Sequence, residues 1–392
     1  MFRKRIRDNK ILVYAFFQIL ILSAARNIIA PLIPIISGEL AVGLDSIGSV
    51  IALSIFGLFL VSLITGNLIE VIGLKKVLFI GLGINFTGSL LLYFSHTFSI
   101  FIIAYFLMEL GLGMLIIGNL SIVGTLYPKN KTASLIKINI GHTTALIIAP
   151  LIVSLSLFIR VDWRYYYIFN LVPIITLAIV LWRIKIPRIS RVETSLRNLF
   201  SANKKMITNP AFIICGIIIF FYTSVMNTFF VWFTSYFKSI NIDINISSLF
   251  LSIFGVSIFI GMLLRNKLIK HFKKKRILLF SFIISFLFLI GVLYTDNLIA
   301  KNILIALFGI AIAGSFTMTF SIASGLFPKY TNSASGLSVA FANLGIMTFQ
   351  YLSGYMSEYY SKNSVLYINI SILFILIVLT SFLNFHRKFD RA

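Results

Sequence analysis

Cysteine and acid are both scarce in this 392-residue chain. Cys215 is the only cysteine, which excludes a disulfide framework and any metal site built from thiolates. Asp and Glu together number 11, and all charged residues amount to 11%. A soluble chain of this length needs far more charge to cover its surface. No Gly-x4-Gly-Lys-Ser/Thr loop occurs, so nothing points to ATP as an energy source. His142 has no second ligand at a helical spacing, so it is not a metal site. No catalytic constellation appears, and the chain is expected to be neither an enzyme nor a cofactor protein. What is present is apolar: 59% of residues are hydrophobic and the mean hydropathy is +1.00. Apolar runs of roughly 18 residues or more recur, which is the length that crosses a bilayer.

The net charge of +23 raises the question of nucleic acid. The basic residues, however, sit in the gaps between apolar runs and not along one amphipathic face. That is the pattern of membrane topology, so the expected partner is the lipid bilayer and not nucleic acid. Twelve spans are predicted, near 11–36, 47–69, 76–94, 98–124, 134–158, 164–182, 210–237, 247–265, 277–295, 299–323, 334–356 and 364–384. They must be helical, because lipid offers no partner to an unpaired backbone N–H. The run from Ile11 is too long for a signal-peptide core, and it reads as a retained first helix. Lys and Arg fall mainly at the N-terminus, at Lys75–Lys76, at 129–137, along 183–205, at 265–276 and at the C-terminus. The opposite loops hold only Arg160, Arg164, Lys238, Lys301 and Lys362 as basic residues, with most of the acids. This asymmetry predicts a multi-pass protein of the plasma (inner) membrane with both termini in the cytoplasm.

The polar stretch 183–209 follows six spans and precedes six more. It predicts an N-terminal half at 1–182, a basic linker at 183–209 and a C-terminal half at 210–392. The halves align at an offset of 200. Ser23–Asn27 faces Thr223–Asn227, Gly66–Lys76 faces 266–276, and Leu126-Tyr-Pro-Lys129 faces Leu326-Phe-Pro-Lys329. Duplicated six-helix halves are a plan of secondary transporters.

At Gly66–Lys76, GNLIEVIGLKK, the chain resembles a family. The stretch is similar to the loop between the second and third helices of the major facilitator superfamily, Gly-x-Leu-x-Asp-Arg-x-Gly-Arg-Lys. Gly66, Leu68, Glu70, Gly73 and Lys75 match, with Glu70 for the usual Asp, whereas Val71 and Leu74 replace basic residues. Asp162-Trp163-Arg164 resembles a junction before the sixth helix of drug- and metabolite-efflux members. The resemblance implies an all-α fold of two pseudo-symmetric six-helix bundles. It also implies a conformational latch at Gly66, Glu70, Gly73 and Lys75. Gly66 is expected to admit a close helix neighbour, and Gly73 to supply the turn. Two departures stand out. Leu107 occupies the fourth-helix Arg position before Gly111-Leu-Gly113, and the fifth helix reads Gly141, Ala145, Ala149-Pro150 where efflux members carry more glycine.

Arg26 in the first span and Glu109 in the fourth are the strongly charged residues expected inside the membrane. Their depths, counted along each helix, differ by roughly 8 Å. A direct pair needs the full reach of the arginine. Three readings stay open: a structural ion pair, Arg26 as anchor for an anionic solute, and Glu109 as a proton-carrying carboxylate. Asn27, Asn119, His142, Tyr222, Asn227, Asn343 and Gln350 are further candidates for a cavity lining, with interhelical hydrogen bonding as the plainer role. The expected function is secondary transport of a small organic solute by alternating access, as proton-coupled efflux by a monomer. Uptake of an organic anion held by Arg26 is the alternative. A non-transporting sensor or a polytopic membrane enzyme is the reading from another class.

Overall fold

A computed structural model describes residues 2–126, 131–186, 204–269, 271–327, 331–361 and 363–382. Within these, side chains are described except at 2–9, 67, 70, 124–126, 131–137, 266, 331–333 and 335. Most of the expected linker lies outside the described residues, as do Pro128, Lys129 and Lys270 and the side chain of Glu70. The helices in chain order are α1 (Phe2–Asn27), α2 (Ile29–Glu39), α3 (Leu44–Ile72), α4 (Leu74–Tyr93), α5 (Phe98–Leu126), α6 (Lys131–Phe158) and α7 (Arg164–Arg183). After the linker come α8 (Pro210–Ser239), α9 (Ile244–Leu268), α10 (Lys274–Tyr294), α11 (Leu298–Ile312), α12 (Ser315–Leu326), α13 (Thr331–Tyr359) and α14 (Ser364–Phe382). No strand occurs among the described residues.

Among the described residues, eleven passes are long and apolar enough to cross a membrane. The other predicted pass, α13, has the length, at 29 residues. Its shortfall is apolar character, since Ser338, Asn343, Thr348, Gln350, Ser353 and Ser357 interrupt it. Two predicted single helices are broken. The first pass turns at Ile28 between α1 and α2. Pro31 has no N–H to offer the Asn27 carbonyl four residues back, and its ring crowds that turn. The tenth pass breaks at Ala313–Gly314, where Gly314 takes φ +72°, a left-handed conformation that suits glycine.

The chain divides into two compact units, Met1–Val192 with Ile242–Ser252, and Glu193–Asn241 with Ile253–Ala392. In the first unit, α4 and α5 meet through small residues. A Cβ at Gly111 would stand 2.5 Å from the Asn85 backbone nitrogen, and one at Gly88 would overlap Met108. Asn85 Nδ2 donates to the Met108 carbonyl at 2.8 Å across the same seam. Lipid provides no hydrophobic drive for helix pairing, so close backbone approach and interhelical hydrogen bonds supply it. Leu22, Ile69, Leu78, Leu115 and Leu177 close the core around this pair.

The second unit repeats several contacts at the same offset. Gly113 on α5 packs on Val61 of α3, its added Cβ falling 2.7 Å from Cγ1. In the second unit, 200 residues on, the small residue changes sides: Gly261 of α9 packs on Ala313, again at 2.7 Å. Ala41 and Asn241 both adopt positive φ, 51° and 64°. Lys75 Nζ donates to the carbonyls of Trp182 and Ile184 at 2.7 and 3.0 Å. Lys275 Nζ donates to the Ser381 carbonyl at 3.3 Å. Each lysine thus places its charge on the negative C-terminal end of the last helix of its own unit.

Candidate functional site

The first unit gathers its polar candidates around one ion pair. Arg26 is the residue next to the end of α1, just before the turn at Ile28. Glu109 sits mid-way along α5. Arg26 Nε lies 3.0 Å from Glu109 Oε1, with the carboxylate fully buried and the guanidinium side chain 22% exposed. The long reach the sequence demanded is therefore made. By strict donor alignment neither Glu109 oxygen is hydrogen-bonded among the described residues, although Tyr105 stands beside it as a hydrogen-bonding neighbour, so the pair itself is a close charge contact. Isolated charges in mid-bilayer cost about 2.5–3.5 kcal/mol each on insertion scales, which explains why the two are held together.

Around the pair stand groups placed by helix periodicity. Tyr105 precedes Glu109 by one turn on α5 and lies beside both charges. Ser23 precedes Arg26 by three residues, and its Oγ is 3.1 Å from His142 Nδ1 of α6. His142 is close enough to feel the Arg26 charge, and Tyr167 of α7 the Glu109 charge. Four helices therefore contribute to one cluster. Tyr105, Tyr167 and Ser23 were not among the sequence candidates. The one-turn spacing of Tyr105 from Glu109 was the available signal for the first. Nothing in the sequence indicated the second.

Other candidates fall elsewhere. Asn27 is buried and its Nδ2 has no partner among the described residues, and both side-chain atoms of Asn119 are likewise buried and unpartnered. Asn227 bonds within its own helix, to the Thr223 carbonyl at 3.0 Å. Gln350 accepts from Trp232 Nε1 at 2.8 Å, which ties α13 to α8. Asn343 Nδ2 has no partner among the described residues. Tyr222 lies beside Arg265.

Arg265 and Lys301 correct the expectation that charge inside the spans is confined to Arg26 and Glu109. Both fall within the predicted spans 247–265 and 299–323 but were counted with the loop cations, and they are only 5% and 6% exposed. Arg265 lies in α9, within the apolar pass Ile244–Arg265. Its repeat partner, Thr65, is 1% exposed, so the 200-residue offset was the overlooked signal. Lys301 donates to the Tyr236 hydroxyl at 3.0 Å and stands over that ring.

Of the latch residues, Gly73 behaves as expected, ending α3 with φ +91°. Gly66 shows no such neighbour among the described residues: none of them lies within 4 Å of where its Cβ would be. Lys75 caps α7 as described. The Asp162-Trp163-Arg164 junction is a clamp. Arg164 Nη1 donates to Glu39 Oε2 at 2.8 Å and Arg164 Nε to the Ser95 carbonyl at 3.2 Å. Trp163 Nε1 donates to the same Glu39 oxygen at 2.9 Å, and Arg164 lies over the Trp163 ring at 4.4 Å. Trp163 in turn packs edge-on against Phe101 and Tyr167, and Phe101 stacks on Tyr105. An aromatic ladder therefore joins the clamp to the ion pair.

The fold and this pair can be set beside known proteins. The profile of the Major Facilitator Superfamily matches residues 15–329. The chain belongs to the Major Facilitator Superfamily. It is a multi-pass membrane transporter, not an enzyme. Among curated relatives it is 25% identical over 317 residues to the Protein TsgA homolog of Buchnera aphidicola subsp. Baizongia pistaciae (strain Bp), covering 79% of each chain. Among solved structures it resembles a D-xylose-proton symporter, with a TM-score of 0.78 at 14% identity over 97% of this chain and 98% of the other. It also resembles the nucleoside transporter NupG, solved as a mutant, with a TM-score of 0.79 at 16% identity over 96% of this chain and all (100%) of the other. At such identities the likeness establishes the fold of a major facilitator transporter.

Proposed function

We propose that this transporter couples a small organic solute to protons, with Glu109 as the proton-carrying group and Arg26 as the charge that governs it. The observation that carries this reading is a fully buried carboxylate held against one cation at 3.0 Å. A buried carboxylate that loses its cation is driven to neutralise. Glu109 would therefore take a proton or a solute donor when Arg26 turns away. The working parts are two six-helix halves, 1–182 and 210–392, joined by the linker 183–209. They alternate access to a solute from each side of the membrane. The loop charges support an inner-membrane location with both termini cytoplasmic, and one chain suffices.

Within this reading, efflux is the first direction, on the resemblance of the Asp162-Trp163-Arg164 junction. Proton symport of a small polar solute is the second, favoured by the printed name of the D-xylose-proton symporter it resembles in fold. Anchoring of an organic anion by Arg26 has less support, since Glu109 already occupies the Nε edge of the guanidinium.

The test uses purified protein in liposomes with an imposed pH gradient of each sign and a panel of sugars, nucleosides and small amines. Solute movement that follows the gradient in the wild type and is uncoupled from it in Glu109→Gln supports the reading. Gradient-driven transport unchanged in Glu109→Gln rejects it. Solute accumulation driven by an inward proton gradient assigns symport, and solute exit driven by the same gradient assigns proton-coupled efflux. Binding with no movement assigns a sensor instead.

A further inference from the structure

The second unit concentrates its charge in one short turn between two passes, α9 and α10. Six of the ten residues at 267–276 are basic: Lys267, Lys270, Lys273, Lys274, Lys275 and Arg276. The matching stretch of the first unit, 67–76, holds Lys75 and Lys76 against Glu70. The formal charges are +6 and +1, with His271 neutral. The first turn meets the topological preference for basic residues with two lysines, so the second carries more than topology asks. Nothing in the chain beside it offsets the excess. No acid lies between Asp243 and Asp296. Asp243 precedes α9 and Asp296 follows α10, so each is a whole helix away from the turn. Lys274, Lys275 and Arg276 stand in the first turn of α10, which has no acid, and there the positive end of the helix dipole opposes them. Like charges this close repel, and they require a counter-charge from outside these helices.

Two of the cations have structural work. Lys275 holds the end of α14, and Lys274 Nζ donates to Ser321 Oγ of α12 at 3.0 Å. Lys267, Lys273 and Arg276 are exposed, as is His271. Among them two apolar side chains are bare, Phe272 at 57% and Leu268 at 42% exposure. An open phenylalanine ring in a turn of cations is badly placed in water. At a bilayer interface the same combination fits, with the ring in the acyl boundary and the cations reaching the phosphates. A soluble polyanion would satisfy the cations but leave the ring in water.

We propose that the turn 267–276 is a docking site for the headgroups of anionic phospholipids, with Lys267, Lys273 and Arg276 on the phosphates and Phe272 in the acyl boundary. The headgroups supply the counter-charge that α9 and α10 lack, in the manner of basic clusters placed directly beside a membrane helix. The site is particular to the second unit, because Glu70 and the smaller charge of 67–76 give the first unit no equivalent. The proposal needs only that 267–276 lie at a membrane face. It does not depend on Glu109, on a solute or on the direction of transport.

The test places the full chain in phosphatidylcholine nanodiscs with a small share of a lipid that carries a photocrosslinker near its headgroup. That lipid is phosphatidylglycerol in one arm and phosphatidylcholine in the other. Labelled residues are mapped by proteolysis and mass spectrometry. Phosphatidylglycerol is expected to label 267–276 about threefold or more above 67–76, and phosphatidylcholine to show no such excess. Lys267→Gln, Lys273→Gln and Arg276→Gln together are expected to abolish the excess with the melting temperature unchanged. Lys267→Gln, a single exposed change, is expected to lose part of it. Glycerol phosphate, the same headgroup chemistry without acyl chains, is expected to leave the labelling unchanged. Equal labelling of the two turns by phosphatidylglycerol, or an excess shared by phosphatidylcholine, overturns the proposal. So does an excess that both variants retain. Displacement by glycerol phosphate makes the occupant a soluble anion and overturns it as well.

Discussion

Removing the carboxylate of Glu109 isolates a cation that the bilayer otherwise tolerates only in company. In Glu109→Gln the amide keeps the shape, so the change is electrostatic. Breaking a buried pair by removing one partner costs roughly 3–5 kcal/mol when the survivor stays dry. Arg26 is not fully dry, with its side chain 22% exposed and Glu109 at 0%. Partial hydration should therefore bring the loss to about 2–3 kcal/mol. Arg26→Gln should cost less, because a buried carboxylate left without its cation can neutralise by taking up a proton. The double variant leaves two neutral amides in contact and should recover most of the loss. A double-mutant cycle, read by reversible unfolding in mixed micelles, should give a coupling energy of at least about 2 kcal/mol. An exposed surface pair would give only about 0.2–1 kcal/mol. A coupling below about 1 kcal/mol would refute the view that the pair is buried and electrostatically closed. The double variant is also expected to stay uncoupled from protons despite its regained stability, which separates the stabilising role of the pair from the transport role.

The other predictions concern packing and helix ends. Lys75→Met and Lys275→Met should each loosen the final helix of their own unit by about 1–2 kcal/mol, the value of charge-assisted hydrogen bonds. Amide exchange rising at the end of α7 in one variant and of α14 in the other is the expected readout. Gly345→Val should abolish stable folding, because any Cβ there overlaps the Phe220 carbonyl. Gly66→Ala should be neutral within about 0.5 kcal/mol, since no described residue approaches that position; a large effect on transport alone would mean that Gly66 is used in another conformation. Arg164→Ala should lower the melting temperature modestly, worth about 1 kcal/mol, because Glu39 is 41% exposed and can turn to water. Glu39→Gln should keep the Trp163 contact and cost less.

Much of the architecture was legible because lipid forces it. A backbone in hydrocarbon must be helical, so apolar run length alone located the passes. The passes that came out differently are the ones where that reasoning is weakest. α13 carries a row of Ser, Asn and Gln that lowers its apolar character; Gln350 Oε1 accepts from Trp232, while Ser338, Asn343 Nδ2 and Ser353 have no partner among the described residues. The turn at Ile28 was readable in principle from Pro31, and it sets Arg26 at a helix end. The break at Gly314 was not readable, because a glycine inside a membrane helix is ordinary and only its φ marks it.

The site divides in the same way. Arg26 and Glu109 stood out in the sequence as rare charges in apolar runs, and depth counting brought them within reach of one another. That counting could not say which way each side chain faced, so it left Tyr167 and Ser23 unnoticed. Arg265 was hidden for the opposite reason. It borders a run of loop cations, and charge beside charge reads as solvent-exposed. By itself the sequence determined the class of molecule, its membrane passes and the two rare charges Arg26 and Glu109 inside them, since these follow from the cost of polar groups in lipid. Only the tertiary structure decided which polar groups have partners, which lysines cap which helices, and that a loop-like arginine lies buried within a pass. Those outcomes depend on the directions of side chains from separate helices, and no local rule in the chain encodes them.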